Sequence, residues 1–253
     1  MSDAQLPRSA RIRRHLVPCA RIAVVQGTRV LIMAAVSALA VVSLLLLALR
    51  FVDPPTSALM LSQRVYGVDI DNRWVPLARV SPHVVRAVIL SEDNKFCSHF
   101  GIDLGEMRAA LAKADRDGED ALRGASTISQ QVAKNLLLWS GRSMMRKALE
   151  FGITLPMEVL WPKTRIMEVY LNIAEWGPGI FGIEAASHYH FNKSASRLTQ
   201  REAALLAVAL PNPFERVAGQ PGQGTQRLAA TIEGRMAAAG SARFECVLAG
   251  RKR

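Results

Sequence analysis

Cysteine is scarce in this 253-residue sequence: there are three, Cys19, Cys97 and Cys246. No C-x-x-C pair occurs and no spacing suits zinc, and three cysteines make no disulfide framework. Acidic residues are also few, 21 Asp and Glu against 32 Lys and Arg, so the formal net charge is +11. Such a balance points to an anionic partner, which leaves nucleic acid, a membrane surface or a phosphorylated substrate in play. No internal repeat is present, which excludes a solenoid or propeller. The first 50 residues hold a single acid, Asp3, against seven arginines, leaving +5 for residues 51–253. The later part is therefore basic in its own right.

One segment lacks charge altogether. Val30 to Leu49, VLIMAAVSALAVVSLLLLAL, is 20 residues long and bracketed by Arg29 and Arg50. That is the length needed to cross the hydrocarbon core of a bilayer. The run is long for a signal-peptide core, and no A-x-A-like cleavage site follows it, so an uncleaved anchor is expected. Arg8, Arg11, Arg13, Arg14, Arg21 and Arg29 precede it, which places the N-terminus in the cytoplasm and residues 51–253 outside.

Beyond the anchor the pattern is helical. FVDPPTSA (51–58) is a proline-rich exit, and residues 64–77 read as a short extended stretch. Ser81-Pro82 opens a helix with a cap and a first-turn proline. Residues 103–113 are moderately helical, and DRDGED (115–120) reads as a loop. Ser126 is expected to cap a helix to about Leu138, Ser143 one to about Leu160, and Pro162 starts one to about Ile173. IEAASHYHF makes a short helix. Thr199 and Glu202 form a capping box for a helix ending at PNP (211–213), and a last helix covers about 223–239.

Five segments carry residues suited to chemistry. SEDNKFCSHFG (91–101) sets Glu92 and Asp93 at a helix C-terminus, where the helix dipole disfavours acids. A solvated turn with Phe96 tucked inward and His99 at the surface is the plain alternative. In GASTISQQVAKN (124–135), Ile128, Val132 and Leu136 share a core face, while Gln131, Lys134 and Asn135 share another. A glycine-led helix start with a lysine a turn or two inside suits phosphate; an ordinary amphipathic helix has the same pattern. RSMMRKALE (142–150) pairs Arg146 with Glu150 at i, i+4, with Arg142 on the same side, a spacing that by default means a surface ion pair. KTRIMEVYLN (163–172) reads mostly as core. GIFGIEAASHYHF (179–191) offers Glu184, whose simplest role is to satisfy backbone or arginine groups.

Taken in this order, EDNKFCSHFG, GASTISQQVAKN, RKALE, KTRIMEVYLN and GIEAA resemble the peptidoglycan glycosyltransferases, over roughly Val80 to Pro213. These are the polymerase modules of bifunctional penicillin-binding proteins and the monofunctional biosynthetic transglycosylases. No S-x-x-K tetrad occurs, so the monofunctional type is the nearer likeness. The resemblance implies a mainly α, lysozyme-like domain with a small membrane-facing jaw. It divides the chain into a basic cytoplasmic tail (1–29), a transmembrane helix (30–49), a linker (50–80), the glycosyltransferase domain (81–240) and a basic C-terminal tail (241–253).

It also implies the chemistry: polymerisation of lipid II into β-1,4 glycan, with inversion and release of undecaprenyl pyrophosphate, at the outer face of the bacterial inner membrane. Glu92 matches the family's general base, with the helix C-terminus and Asp93 raising its pKa. Asp93, Phe96 and His99 are expected to shape the loop and hold that carboxylate. Ser126, Gln130, Lys134 and Arg142 match positions the family uses around the departing pyrophosphate, and Gln131, Asn135, Arg146 and Lys147 are further substrate-binding candidates in the same segments. Glu150 matches the second family carboxylate and is a candidate ligand for a divalent cation, Mg or Mn. The 103–123 stretch, with Gly118, falls where the family has a mobile segment. Expected partners are lipid II, the growing glycan, the membrane and other cell-wall synthesis and division proteins, with no nucleic acid. A lytic or hydrolytic enzyme on the same glycan would need no cations for pyrophosphate, and a non-catalytic scaffold would need neither Glu92 nor Lys134.

Overall fold

Residues 8–117, 126–141 and 143–249 are described by the computed structural model. The uncharged run lies within α1 (Arg8–Leu49), of which Val25–Leu49 is long and apolar enough to cross a membrane. Leu31, Val36 and Val41 are exposed along it, as in a helix whose solvent is lipid. This is consistent with a single-pass anchor. The chain divides into a unit ending at Leu45 and a second beginning at Leu46.

The second unit thus takes in the last turn of the apolar helix. Leu46 is fully buried, and its carbonyl accepts a hydrogen bond from Trp161 Nε1 at 2.6 Å. Arg165 donates from Nη2 to the carbonyls of Leu49 and Val52, both at 2.8 Å, and pairs through Nη1 with Asp53 and Glu168. Helix C-termini leave carbonyls without intrahelical partners, and a cation there also suits the dipole. Sequence spacing alone puts the anchor's end at residue 49; tertiary packing makes residues 46–49 part of the folded domain as well.

α2 (Ala58–Val65) follows, capped by Ser57. β1 (Asp71–Asn72) leads to α3 (Pro82–Glu92), whose cap is Ser81 as expected. α4 (Leu104–Asp117) runs through residues expected to be loop, and residues 118–125, with Gly118 and the rest of the expected mobile segment, lie outside the described residues. α5 (Ile128–Leu137) is capped by Thr127 rather than Ser126, because Gln130 completes a capping box with Thr127. α6 (Met144–Leu160) and α7 (Lys163–Ile173) begin after Ser143 and Pro162 as the sequence implies. β2 (Glu175–Gly177), β3 (Ile180–Phe181), α8 (Ile183–Phe191), α9 (Gln200–Ala209), α10 (Gln223–Ala238) and α11 (Glu245–Leu248) complete the order.

The fold is mainly α. α3 packs on α9 and α10, while α5 packs on α6 and α7. Ile128, Val132 and Leu136 are buried, each contributing about 2 kcal/mol through removal from water. The small sheet has order β1-β3-β2, with β1 parallel to β3 and β2 antiparallel to it. It forms at WGPGIFG because Gly179 has φ +71° and lies against the chain: a Cβ there would sit 2.3 Å from the Asp69 carbonyl oxygen.

Two expectations are corrected. Residues 241–248 are no free tail: a 3₁₀ turn (Ser241–Phe244) and α11 bury Phe244 and Val247. Cysteine spacing also missed a disulfide, Cys97–Cys246, with Cα atoms 5.5 Å apart and a sequence separation of 149. Its partners are distant in the chain, so no local pattern announces it.

Removing residues 1–45 should leave the melting temperature of the domain unchanged in detergent. Starting instead at Pro54 strips Trp161 of its acceptor and leaves Arg165 only Glu168, and should cost on the order of 2–3 kcal/mol, read by calorimetry on both truncations. Replacing Cys97 and Cys246 together by serine should lower stability by about 2–4 kcal/mol, seen as an earlier urea midpoint.

Candidate active site

Glu92 is the last residue of α3 and Asp93 is its C-cap. The loop that follows is pinned from several sides. Ile128 N, at the start of α5, donates to Asp93 Oδ2 at 3.0 Å, and His99 Nε2 lies 2.9 Å from Asp93 Oδ1. Thr127 Oγ1 donates to the Gly101 carbonyl at 2.6 Å. Gly101 has φ +77°, and a Cβ there would meet Thr154 and Glu158 side-chain carbons at 2.7 and 2.8 Å. Phe96 is fully buried, with His99 edge-on to its ring and Lys163 Nζ 4.4 Å from the ring centroid. The disulfide fixes the loop again at Cys97.

Asp93 and His99 therefore hold the loop and the start of α5. The Glu92 carboxylate instead accepts from Gln131, whose Nε2 lies 3.0 Å from Oε2. Behind it, Tyr170 donates its hydroxyl to Gln131 Oε1 at 3.2 Å. Burial pushes the Glu92 carboxyl above its ordinary value of 4.5, and Asp93 adds to the rise; the bonds from Gln131 and Ser91 and the charge of Lys134 oppose it. The direction matches the expectation from sequence, but desolvation is the main cause. Glu92 lines a cavity of about 190 Å³ with Lys95, Asp103, Glu106, Ser126 and Arg235. Arg235 lies on α10, far from the motif segments, and sequence reading did not reach it.

The cations gather around Glu150, which is buried between Arg146 Nη1, at 3.2 Å, and Lys147 Nζ. Lys147 also donates to Ser126 Oγ at 3.0 Å. Arg146 Nε is buried without a partner among the described residues. Burial lowers the pKa of Lys134, and Glu150 is the chief charge that resists this. Lys134, Asn135 and Arg146 line a cavity of about 420 Å³ whose other walls include Leu59, Leu138 and Trp139. Cations beside apolar and aromatic walls suit an amphiphilic anion.

Not every expected residue points there. Gln130 is buried and spends its Oε1 on Thr127 N at 3.0 Å, closing the capping box. Glu184 accepts from Ala195 N at 2.8 Å, so it serves the backbone. Arg142 lies outside the described residues. Both Glu150 oxygens already accept from cations, and no cluster of three His, Cys, Asp or Glu occurs among the described residues. That donor set does not fit a protein-held divalent ion.

Residues 60–236 match the family model described as Transglycosylase. A biosynthetic peptidoglycan transglycosylase of Agrobacterium fabrum is 52% identical over 193 residues, which is 76% of this chain and 84% of that protein. Relatives of the same name from Nitrobacter hamburgensis and Rhodospirillum centenum are each 52% identical, covering 81% and 79% of this chain and 92% and 87% of theirs.

Glu150→Gln should leave Arg146 and Lys147 without a countercharge. Lys147 stays 32% exposed, so the expected loss is at the low end for a broken buried pair, about 3 kcal/mol. Chemical denaturation of the full chain in detergent measures it.

Proposed function

From membership of the transglycosylase family, to which this chain belongs, we propose that Glu92 is the general base of glycan polymerisation and that Lys134, Arg146 and Lys147 receive the departing pyrophosphate. The protein is a peptidoglycan glycosyltransferase. The reading adds the substrate, lipid II, and the step. Glu92 takes the proton of the acceptor's sugar 4-hydroxyl, and that oxygen attacks the donor's anomeric carbon from the face opposite the pyrophosphate. The carbon–oxygen bond to pyrophosphate breaks, its electron pair leaves with the phosphate, and the configuration inverts.

The observation that carries this is the wet face of α5. Gln131, which holds the base, and Lys134, which faces the anion cavity, stand three residues apart, so they are neighbours on one side of the helix. One rigid element thus sets the distance between proton acceptor and leaving-group cations, as positioning catalysis requires. Ser126 contributes through its bond to Lys147.

We also place residues 46–253 outside the cytoplasm, at the outer face of the inner membrane. The arginine-rich flank before α1 supports this by the positive-inside rule. So does the Cys97–Cys246 disulfide, a bond favoured in oxidising compartments. The basic charge of the exported part then serves a lipid-linked, doubly anionic substrate held at the membrane.

Glu92→Gln tests the assignment by two readouts. Turnover of lipid II in detergent should fall at least ~10²-fold, with binding retained. Stability should move the other way. A carboxyl with a raised folded pKa gives stability that is present below its unfolded pKa and lost as pH rises through the folded pKa. At neutral pH the wild type carries that cost, so the glutamine variant should melt higher. Retention of more than about a tenth of wild-type turnover would remove Glu92 from the role.

A further inference from the structure

Tyr170 takes no part in the chemistry described so far. It lies in the segment KTRIMEVYLN on α7, is 1% exposed, and sits behind Gln131. Its hydroxyl meets one end of the Gln131 amide, whose other end meets Glu92. A primary amide is nearly symmetric in shape, and a half-turn exchanges its acceptor oxygen with its donor nitrogen. Turned one way, Gln131 offers Glu92 an N–H. Turned the other, it would set a carbonyl oxygen against a carboxylate. The neighbour on the far side adds to the choice: a hydroxyl that donates there favours the first.

We propose that Tyr170 is a positioning residue for the general base: by donating to Gln131 Oε1 it holds the amide with Nε2 toward Glu92. This rests on the reading of Glu92 as base. The phenol is suited to the role because it remains a donor. Burial, with the charges of Glu92 and Asp93, keeps its pKa well above the ordinary 10.0. The ring is needed for packing, but packing alone would be served by phenylalanine; the hydroxyl has a partner that leads to the reacting group.

The groups facing Glu92 set the direction of the effect. Ser91 and Asp93 flank it on its own segment, Gln131 and Lys134 face it from α5, and Tyr170 lies behind from α7. Lys95, Asp103, Glu106 and Arg235 line the same cavity. Burial and Asp93 oppose ionisation of Glu92; the Gln131 bond is foremost among the contacts that favour it. Without a fixed donor the carboxyl titrates higher, and less of the base is ionised at a given pH.

The test is the pH dependence of kcat/KM for lipid II with the full chain in detergent. Tyr170→Phe should move the acid limb upward by about half to one pH unit, with KM little changed above the limb. Gln131→Leu should move it the same way and at least as far. Adding Tyr170→Phe to Gln131→Leu should move it no further, since the hydroxyl acts only through the amide. An unmoved acid limb in Tyr170→Phe overturns the proposal, as do additive shifts in the double variant. Should Tyr170→Phe fail to fold, an unmoved limb in Gln131→Leu overturns it equally. Turnover that survives Glu92→Gln would instead defeat the assignment of the base, which separates the two failures.

Discussion

The site depends on one unfavourable act: a carboxylate is taken out of water at the C-terminal end of a helix. Burial and the neighbouring acid both resist charge on Glu92, so it holds its proton more tightly than a free carboxyl and becomes a stronger base once ionised. Left alone in that place it would simply stay neutral. The amide of Gln131 and the charge of Lys134 make ionisation attainable. Both come from α5, which is why the placement of that helix governs the rest.

The structure answers with redundancy. The start of α5 is fixed by Asp93 at Ile128 N, by the capping box of Thr127 and Gln130, and by the bond from Thr127 to Gly101. The loop after Glu92 is in turn held by the buried Phe96, by the lack of room for a side chain at Gly101, and by a covalent tie to the C-terminal segment. Local opening of either element would separate Glu92 from the cations. Residues that look auxiliary in the chain, such as Thr127 and Gln130, thus serve the site by holding backbone, while the groups facing solvent can be few.

Much of this was legible in the sequence, for physical reasons that differ by residue. Ser81, Ser143 and Thr199 announced their helices because caps act within three residues. Ile128, Val132 and Leu136 announced a core face by spacing. Glu92, Lys134 and Glu150 were singled out as candidates by five short segments in a fixed order. What escaped was set by contacts across the chain. The choice of Thr127 over Ser126 as cap turned on Gln130. The partner of Glu92 could not be told from spacing, because Asp93 is adjacent in sequence whereas Gln131 is adjacent in space. Tyr170 read as core, which it is, and its hydroxyl's target lies 39 residues away. Cys246, which closes the disulfide on Cys97, and Arg235 belong to elements beyond the last motif.

The most direct measurement is the titration of Glu92 itself, by carbon NMR of the labelled carboxyl in the full chain in detergent, compared with the acid limb of kcat/KM for lipid II. The account predicts that Glu92 titrates above 4.5 and that the acid limb falls at the same pH, since that limb reports the essential base of the free enzyme. A carboxyl that titrates at or below its ordinary value, or an acid limb that departs from the Glu92 titration, would contradict it.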